Sequence, residues 1–504
     1  MKREVDLVVV GSGFGGSLMA IVAKRLGLSV MLLEQGRHPR MAIGESTTPL
    51  SNLLLERLSV KYDLPRLAPL AKWGSWRRAY PEVACGLKRG FTFFHEDDEP
   101  LVVAASPHDG IADTHWYRAD VDHFLVNEAQ RVGVEYCDDV RIESVELGSA
   151  SSNIVRLAGR AGDEPLRIEA GFLIDATGPR GFLHRHLQLG ECALPGMPRT
   201  EGLYCHFTGV GRSNIGGEPP FAVDDAAVHH IFDGGWVWVL RFNNGVTSAG
   251  VAATESVARE LRLSDGAGAW PRVLAQLPQL QAQFARATPC ESFRHLPTIS
   301  FRSQTMAGPR WAMLPSAAGF VDPLLSTGFA LTMLGIERLA RILGGGEADL
   351  EDYAQQTDVD LLAASRLIAA LYATMSNFAG FQAVLLLYFA SVSFAETALR
   401  LGKPELAVGF LLHQHSEFGP RMRVLLERAR SLDSVAATEL FAAEVRRLIE
   451  PFDVGGFGKP ALRNWYPVRA EDLLQSAFKV GAAHEEIVAM LEKGGFFESA
   501  SVNR

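Results

Sequence analysis

The stretch Val5-Asp6-Leu7-Val8-Val9-Val10-Gly11-Ser12-Gly13-Phe14-Gly15-Gly16 decides how this chain folds. Residues 5–10 are almost continuously apolar and β-branched, the pattern of a parallel strand covered on both faces. The run Ser17 to Leu26 is compatible with a helix, and Leu28 to Leu33 predicts a second apolar strand that ends at Glu34. Strand, glycine turn, helix and strand in this order form a dinucleotide-binding fingerprint. Gly11 permits the tight turn, and Gly13 lets a pyrophosphate reach the backbone, with Phe14 and Gly15 beside it. Gly16 lets the helix pack closely on the strand, and the helix N-terminus faces the phosphates. Glu34 stands 23 residues after Gly11, where an acid accepts ribose hydroxyls.

Two later segments favour FAD over NAD. Phe172-Leu173-Ile174-Asp175-Ala176-Thr177-Gly178 reads as a buried strand ending in Asp-Ala-Thr-Gly, which makes Asp175 and Gly178 candidate cofactor contacts. From Trp311 the chain runs through Ser316, Gly319, Asp322, Pro323, Thr327 and Gly328 into an amphipathic stretch, Phe329 to Leu343. Small residues here bring backbone close to a flat group. The helix that follows presents its N-terminus to negative charge on a reduced flavin.

Composition bounds the remainder. The chain has 504 residues, 47% hydrophobic and 21% charged, with a formal net charge of −9. That balance predicts a globular protein of two or three packed lobes and argues against nucleic acid as a partner. Cys85, Cys137, Cys192, Cys205 and Cys290 are widely spaced and form no CxxC, so neither a disulfide framework nor a metal site is expected, and a cytoplasmic setting is. The apolar run at 5–10 is short and leads into glycines, which does not predict a secretory leader. Leu367 to Ala395 contains no charged residue and is long enough to span a bilayer. Ser376, Asn377, Gly380 and Gln382 interrupt it, which predicts a buried helical pair; the alternative is a lipid-facing or acyl-binding surface.

With these residues in hand, the chain resembles the flavin-dependent halogenases and the related FAD-dependent monooxygenases from about residue 5 to about residue 345. Pro39-Arg40-Met41-Ala42-Ile43-Gly44-Glu45-Ser46-Thr47-Thr48-Pro49 matches a family loop beside the isoalloxazine. Tyr117-Arg118 with Asp122 and Leu125 matches a segment whose arginine contacts FAD. Lys88-Arg89-Gly90 with Phe93 resembles the segment carrying the halogenases' active-site lysine. Gly235-Trp236-Val237-Trp238 resembles the first half of their tryptophan signature, and Thr327-Gly328 falls on a turn at the halide and flavin. The resemblance implies that reduced flavin, O2 and halide make hypohalous acid, which reaches Lys88 through a tunnel and is steered onto an electron-rich ring. Arg40 and Arg118 join the implied FAD contacts.

This chain also departs from the pattern. Arg241 stands where the signature has a proline, and Leu325 where tryptophan-type enzymes carry a glutamate. A phenol- or pyrrole-type substrate is therefore expected instead of tryptophan. Pro315-Ser316 replaces a common Gly-Asp, so Ser316 or Asp322 is expected to serve the flavin's ribityl chain.

The expected architecture is α/β, with mixed α+β character overall: a Rossmann-type FAD lobe from 1–75, 112–190 and 290–345, an antiparallel-sheet substrate lobe from 76–111 and 191–289, and a helical lobe over 346–504. A single alternating strand from His230 to Phe242, turning at Asn243-Asn244-Gly245, is expected in the substrate lobe. Candidate catalytic residues are Glu45, Ser46, Lys88, Trp236, Trp238 and Arg241. Four functions compete. They are a halogenase fed by a separate NAD(P)H flavin reductase, a monooxygenase hydroxylating an aromatic or polyketide-like substrate with Arg241 in an opened site, a flavin dehydrogenase or reductase acting on an apolar chain, and a non-catalytic flavoprotein. The substrate is expected to be a free small molecule or one tethered to a carrier.

Overall fold

A computed structural model of the chain describes residues 2–96, 98–147, 154–213, 221–347 and 349–497. The strand Lys2–Val10 lies at the heart of an eight-stranded sheet. It pairs in parallel with Val30–Leu33 on one side and Glu164–Asp175 on the other. Glu135–Cys137 and Trp311–Met313 extend the parallel core outward. Leu7, Val8 and Val9 are fully buried, as a strand covered on both faces requires. The fingerprint helix is Phe14–Arg25, starting three residues before the expected run because Gly13 already serves as its N-cap. The second strand begins at Val30, two residues later than expected.

A nine-stranded sheet forms the other layer, in the order Thr288–Pro289, Thr200–Thr208, Thr247–Thr254, Gly235–Arg241, Ala227–Phe232, Gly90–His95, Leu101–Ala104 and Trp465–Tyr466, with Arg294–Leu296 beside the second of these. Here the single strand expected over 230–242 is corrected. The chain reverses at Asp233-Gly234, so that Phe232 pairs with Gly235 and Ile231 with Trp236. Gly234 adopts φ 70°, the left-handed conformation that a tight hairpin demands. A second reversal at Asn243-Asn244-Gly245 leads into Thr247–Thr254. The segment after 346 is not purely helical either, since Trp465–Tyr466 joins the edge of this sheet in parallel with Leu101–Ala104.

The uncharged run forms parts of two helices, Leu350–Ala373 and Phe378–Arg400, broken at the polar residues singled out in the sequence. Asn377 caps the second helix by accepting from the Gly380 amide at 3.1 Å. Phe378–Arg400 is apolar and long enough to cross a membrane, but 78% of its most apolar window is buried in the protein. It packs against Val435–Ile449, Leu350–Ala373 and Pro49–Lys61. The helix Thr327–Leu343 packs against the fingerprint helix and Pro49–Lys61, so its N-terminus points into the space between the two sheets.

Candidate active site

A single cavity of about 1650 Å³ begins at the glycine turn and ends against the second sheet. At its near end Gly11 has φ 100°, and a side chain there would meet the Ala176 carbonyl. A Cβ on Gly16 would stand 1.8 Å from the Gly11 carbonyl oxygen, so close packing of helix on strand requires glycine. Gly13 opens toward the Arg118 guanidinium, 3.3 Å from where its Cβ would be. Glu34 is buried and accepts from the Ser12 amide, the Ser12 hydroxyl, the Gly36 amide and Arg40. Burial opposes its ionisation, but Arg40 and the backbone donors prevail and hold its pKa at about 2.

Arg118 makes a bidentate pair with Asp122, both contacts at 2.8 Å, and donates to the Ile43 and Gly44 carbonyls. It therefore locks the loop carrying Glu45 and Ser46 onto the cavity wall. Both residues line the cavity, and the Ser46 hydroxyl is buried without a partner among the described residues. Glu45 is paired through one carboxylate oxygen, Oε1, which lies 2.7 Å from His206 Nε2.

Gly178, Ser316, Asp322, Thr327 and Gly328 line the same cavity. Asp175 does not. Its carboxylate accepts from the Thr177 amide and hydroxyl and from the Leu183 amide, so it organises the turn that follows its strand and is corrected from cofactor contact to scaffold. Gly16 likewise serves packing and is not in the lining. Leu325 and Ser326 both sit in the left-handed region, at φ 68° and 55°. Such consecutive non-glycine residues are strained and persist only where neighbours hold them. Asp322 accepts from the Leu324 amide at 3.0 Å, and Tyr388 donates to the Leu325 carbonyl at 3.1 Å.

Trp236 and Trp238 face the far end from one side of their strand, with Leu240 in the same alternation. Their ring centroids are 5.6 Å apart. That alternation also corrects the reading of Arg241. One residue on, its side chain leaves the opposite face and donates to the carbonyls of Val210 and Gly211. It does not line the cavity, so it opens no site there.

Lys88 is fully buried and is not a solvated surface residue. It donates to the Thr47 carbonyl and lies 4.0 Å from the centre of the Phe91 ring. It is not in the cavity lining. Thr47 places it directly behind the Glu45-Ser46 loop. Asp113 is opposite it across an antiparallel pair and accepts from Asn52 at 2.7 Å. Burial pushes the Lys88 ammonium toward neutrality and the Asp113 carboxyl toward protonation, each opposed by the other's charge. Burial and the Lys88 charge together hold His115 and His229 neutral, with pKa values pushed down to about 3.

Three further residues complete the site. Tyr372 hydrogen-bonds both Trp236 and Asp322, His206 holds Glu45, and Asp113 faces Lys88. Tyr372 sits inside the apolar run, where its one hydroxyl gives no pattern. His206 is one of four histidines, with His95, His229 and His230, that the sequence offers as a candidate base without choosing among them; it follows Tyr204 on the same strand face.

The family model for tryptophan halogenases matches residues 114–378, more than half of the chain. The chain belongs to this family of flavin-dependent halogenases. Among curated relatives it is 28% identical over 358 residues to tetracycline 7-halogenase of Kitasatospora aureofaciens, covering 66% of this chain and 61% of that protein. It is 28% identical to monodechloroaminopyrrolnitrin halogenase PrnC of Pseudomonas fluorescens, covering 67% of this chain and again 61% of the relative. The alignments thus span less than two thirds of either relative. Among solved structures, halogenase PltM in complex with phloroglucinol and FAD superposes with a TM-score of 0.78 at 23% identity, over 92% of this chain and 99% of that one. This shows a shared fold.

Proposed function

We propose that the protein is an FAD-dependent halogenase of a phenol- or pyrrole-type aromatic ring. The observation that carries this reading is the continuity of one cavity. It runs from the glycine turn, past the strained Leu325-Ser326 turn, to a wall of Trp236 and Trp238 beside Glu45, with Lys88 one layer behind. The near half fits FAD in charge and shape: an ionised, buried Glu34 for the ribose, glycines that leave room for a pyrophosphate, and a helix N-terminus at Gly13. Bound there and reduced, FAD supplies the electrons with which O2 converts halide into an electrophile.

The protein's own residues account for the remainder. Arg118 and Asp122 fix the Glu45-Ser46 loop, and the two tryptophans exclude water from the far end. The Lys88 ammonium hydrogen-bonds the hypohalous oxygen and directs the halogen to the ring. Arg118 anchors the loop at Ile43 and Gly44, so it is the Thr47 carbonyl that must shift for Lys88 to reach the cavity. Leu325 stands beside the turn where an acid would activate a poorer ring, which supports an electron-rich substrate, free or carrier-bound. Relatives with pyrrole chemistry, including a 1H-pyrrole-2-carbonyl-[peptidyl-carrier protein] brominase of Pseudoalteromonas luteoviolacea at 23% identity, support the same class.

Reduced flavin is proposed to come from a separate NAD(P)H reductase, since the chain carries one glycine fingerprint and FAD takes it. The test is aerobic turnover with a flavin reductase, NADH, bromide and a panel of phenols, pyrroles and indoles, read by mass spectrometry. Brominated phenol or pyrrole is expected. Hydroxylated product without halide dependence would instead make the protein a monooxygenase. Rapid, saturable flavin reduction by NADH alone would overturn the need for a partner reductase.

A further inference from the structure

Electrophilic halogenation has a proton requirement that this cavity must meet. Written in balance, ArH + X⁻ + O2 + FADH2 + H⁺ gives ArX + FAD + 2 H2O. Dioxygen takes four electrons, two from the reduced flavin and two from the pair of ring and halide. The ring loses a C–H bond and gains a C–X bond. One proton from outside is consumed in each turnover.

The side chain of Glu45 is fully buried at the cavity wall, so it meets no bulk water. Its Oε2 is buried with no partner among the described residues, and Glu45 is one of the residues lining the cavity. Its Oε1 lies 2.7 Å from Nε2 of His206, whose side chain is 5% exposed. The other ring nitrogen, Nδ1, lies 3.8 Å from the carboxylate of Glu291, which is 30% exposed. Carboxylate, imidazole and carboxylate thus stand in line from cavity to surface, with exposure rising at each step.

We propose that Glu45, His206 and Glu291 form a proton relay that feeds the cavity from solvent, resting on the halogenase reading given above. A proton enters at Glu291, whose partly exposed side chain closes the 3.8 Å to hydrogen-bonding distance, and bonds to His206 Nδ1. The imidazolium then releases its other proton from Nε2 to Glu45 Oε1 as the Glu45 carboxyl gives up the proton it carries on Oε2 to an oxygen that leaves as water; rotation of the carboxyl and of the imidazole then resets the relay for the next proton. Only an imidazole has two ring nitrogens that let a proton arrive at one and leave from the other. The groups that face His206 agree with this role. Burial disfavours its charge, but the hydrogen bond and charge of Glu45 and the charge of Glu291 prevail over it and over Arg294, and its pKa is raised. Tyr117 covers the ring, with centroids 5.6 Å apart, and shields it from water.

The test uses the FAD-loaded protein with its histidines ¹⁵N-labelled, followed by NMR between about pH 5 and about pH 9. His206 is expected to titrate above the ordinary imidazole value of about 6.5. Its midpoint should fall clearly in Glu45→Gln and less in Glu291→Gln. In bromination of phloroglucinol, His206→Gln should slow product formation about a hundredfold and Glu291→Gln about tenfold, with flavin binding retained. A larger solvent deuterium isotope effect should accompany the Glu291→Gln loss. A merely structural histidine would show neither the isotope effect nor the recovery by added imidazole expected of His206→Gly. An unmoved His206 midpoint in Glu45→Gln, or wild-type rate and isotope effect in Glu291→Gln, would overturn the relay. If the wild type brominates nothing, the halogenase reading fails, and the NMR titration still decides whether the three groups are coupled.

Discussion

Tyr372 donates a 2.9 Å hydrogen bond to Asp322 while its oxygen accepts from the Trp236 indole at 3.2 Å. One phenol from the segment after the FAD-type core thus ties the turn at Asp322 to the neighbouring tryptophan wall, and both line the cavity. All three residues are buried. Tyr372→Phe should deprive the Trp236 indole N–H and one oxygen of Asp322 of their tyrosine partner and cost about 2 kcal/mol, read as a lowered denaturation midpoint. Unchanged stability would show that the three groups are not linked.

Asp322 itself gives a pH dependence. Burial pushes its pKa up to about 7, against an ordinary carboxylate value near 4. A carboxyl whose folded value is raised favours the folded state fully below the ordinary value. That contribution is lost as pH rises through about 7, because the unfolded chain ionises first. Asp322→Asn should therefore gain on the wild type in stability as pH rises from about 4 to about 7, by up to a few kcal/mol. Denaturant midpoints measured across that window check it. A constant difference would mean that Asp322 is ionised in the folded protein.

At the near end, Gly13→Val should abolish the flavin spectrum on reconstitution with FAD. A branched side chain there stands against the Arg118 guanidinium and fills the space left for a pyrophosphate. A variant that binds FAD as the wild type does would remove the glycine turn from the cofactor site.

What was legible in the sequence follows from how local each signal is. The strand, turn and helix from Val5 to Arg25 are adjacent in the chain, and their glycines have one steric explanation. The break in the uncharged run was legible because Asn377 caps a helix from within four residues. The second sheet was harder. Asp233-Gly234 is a hairpin turn, but alternating apolar residues on both sides make 230–242 look like one strand. A family position says nothing of which strand face the Arg241 side chain takes. Lys88 has the sequence surroundings of an active-site lysine, yet its burial behind Thr47 depends on a contact 41 residues away in the chain. His206 with Glu45, and Tyr372 with Asp322, are contacts of the folded chain that no spacing reveals.

Lys88→Met is the most direct test of the account, because it keeps the buried aliphatic stem and removes only the ammonium. The variant and the wild type are supplied with reduced FAD, O2 and bromide, and the products are read by mass spectrometry with flavin oxidation followed in parallel. Flavin binding and oxidation are expected to persist in the variant while brominated product disappears. Brominated product formed by Lys88→Met at the wild-type rate would contradict it.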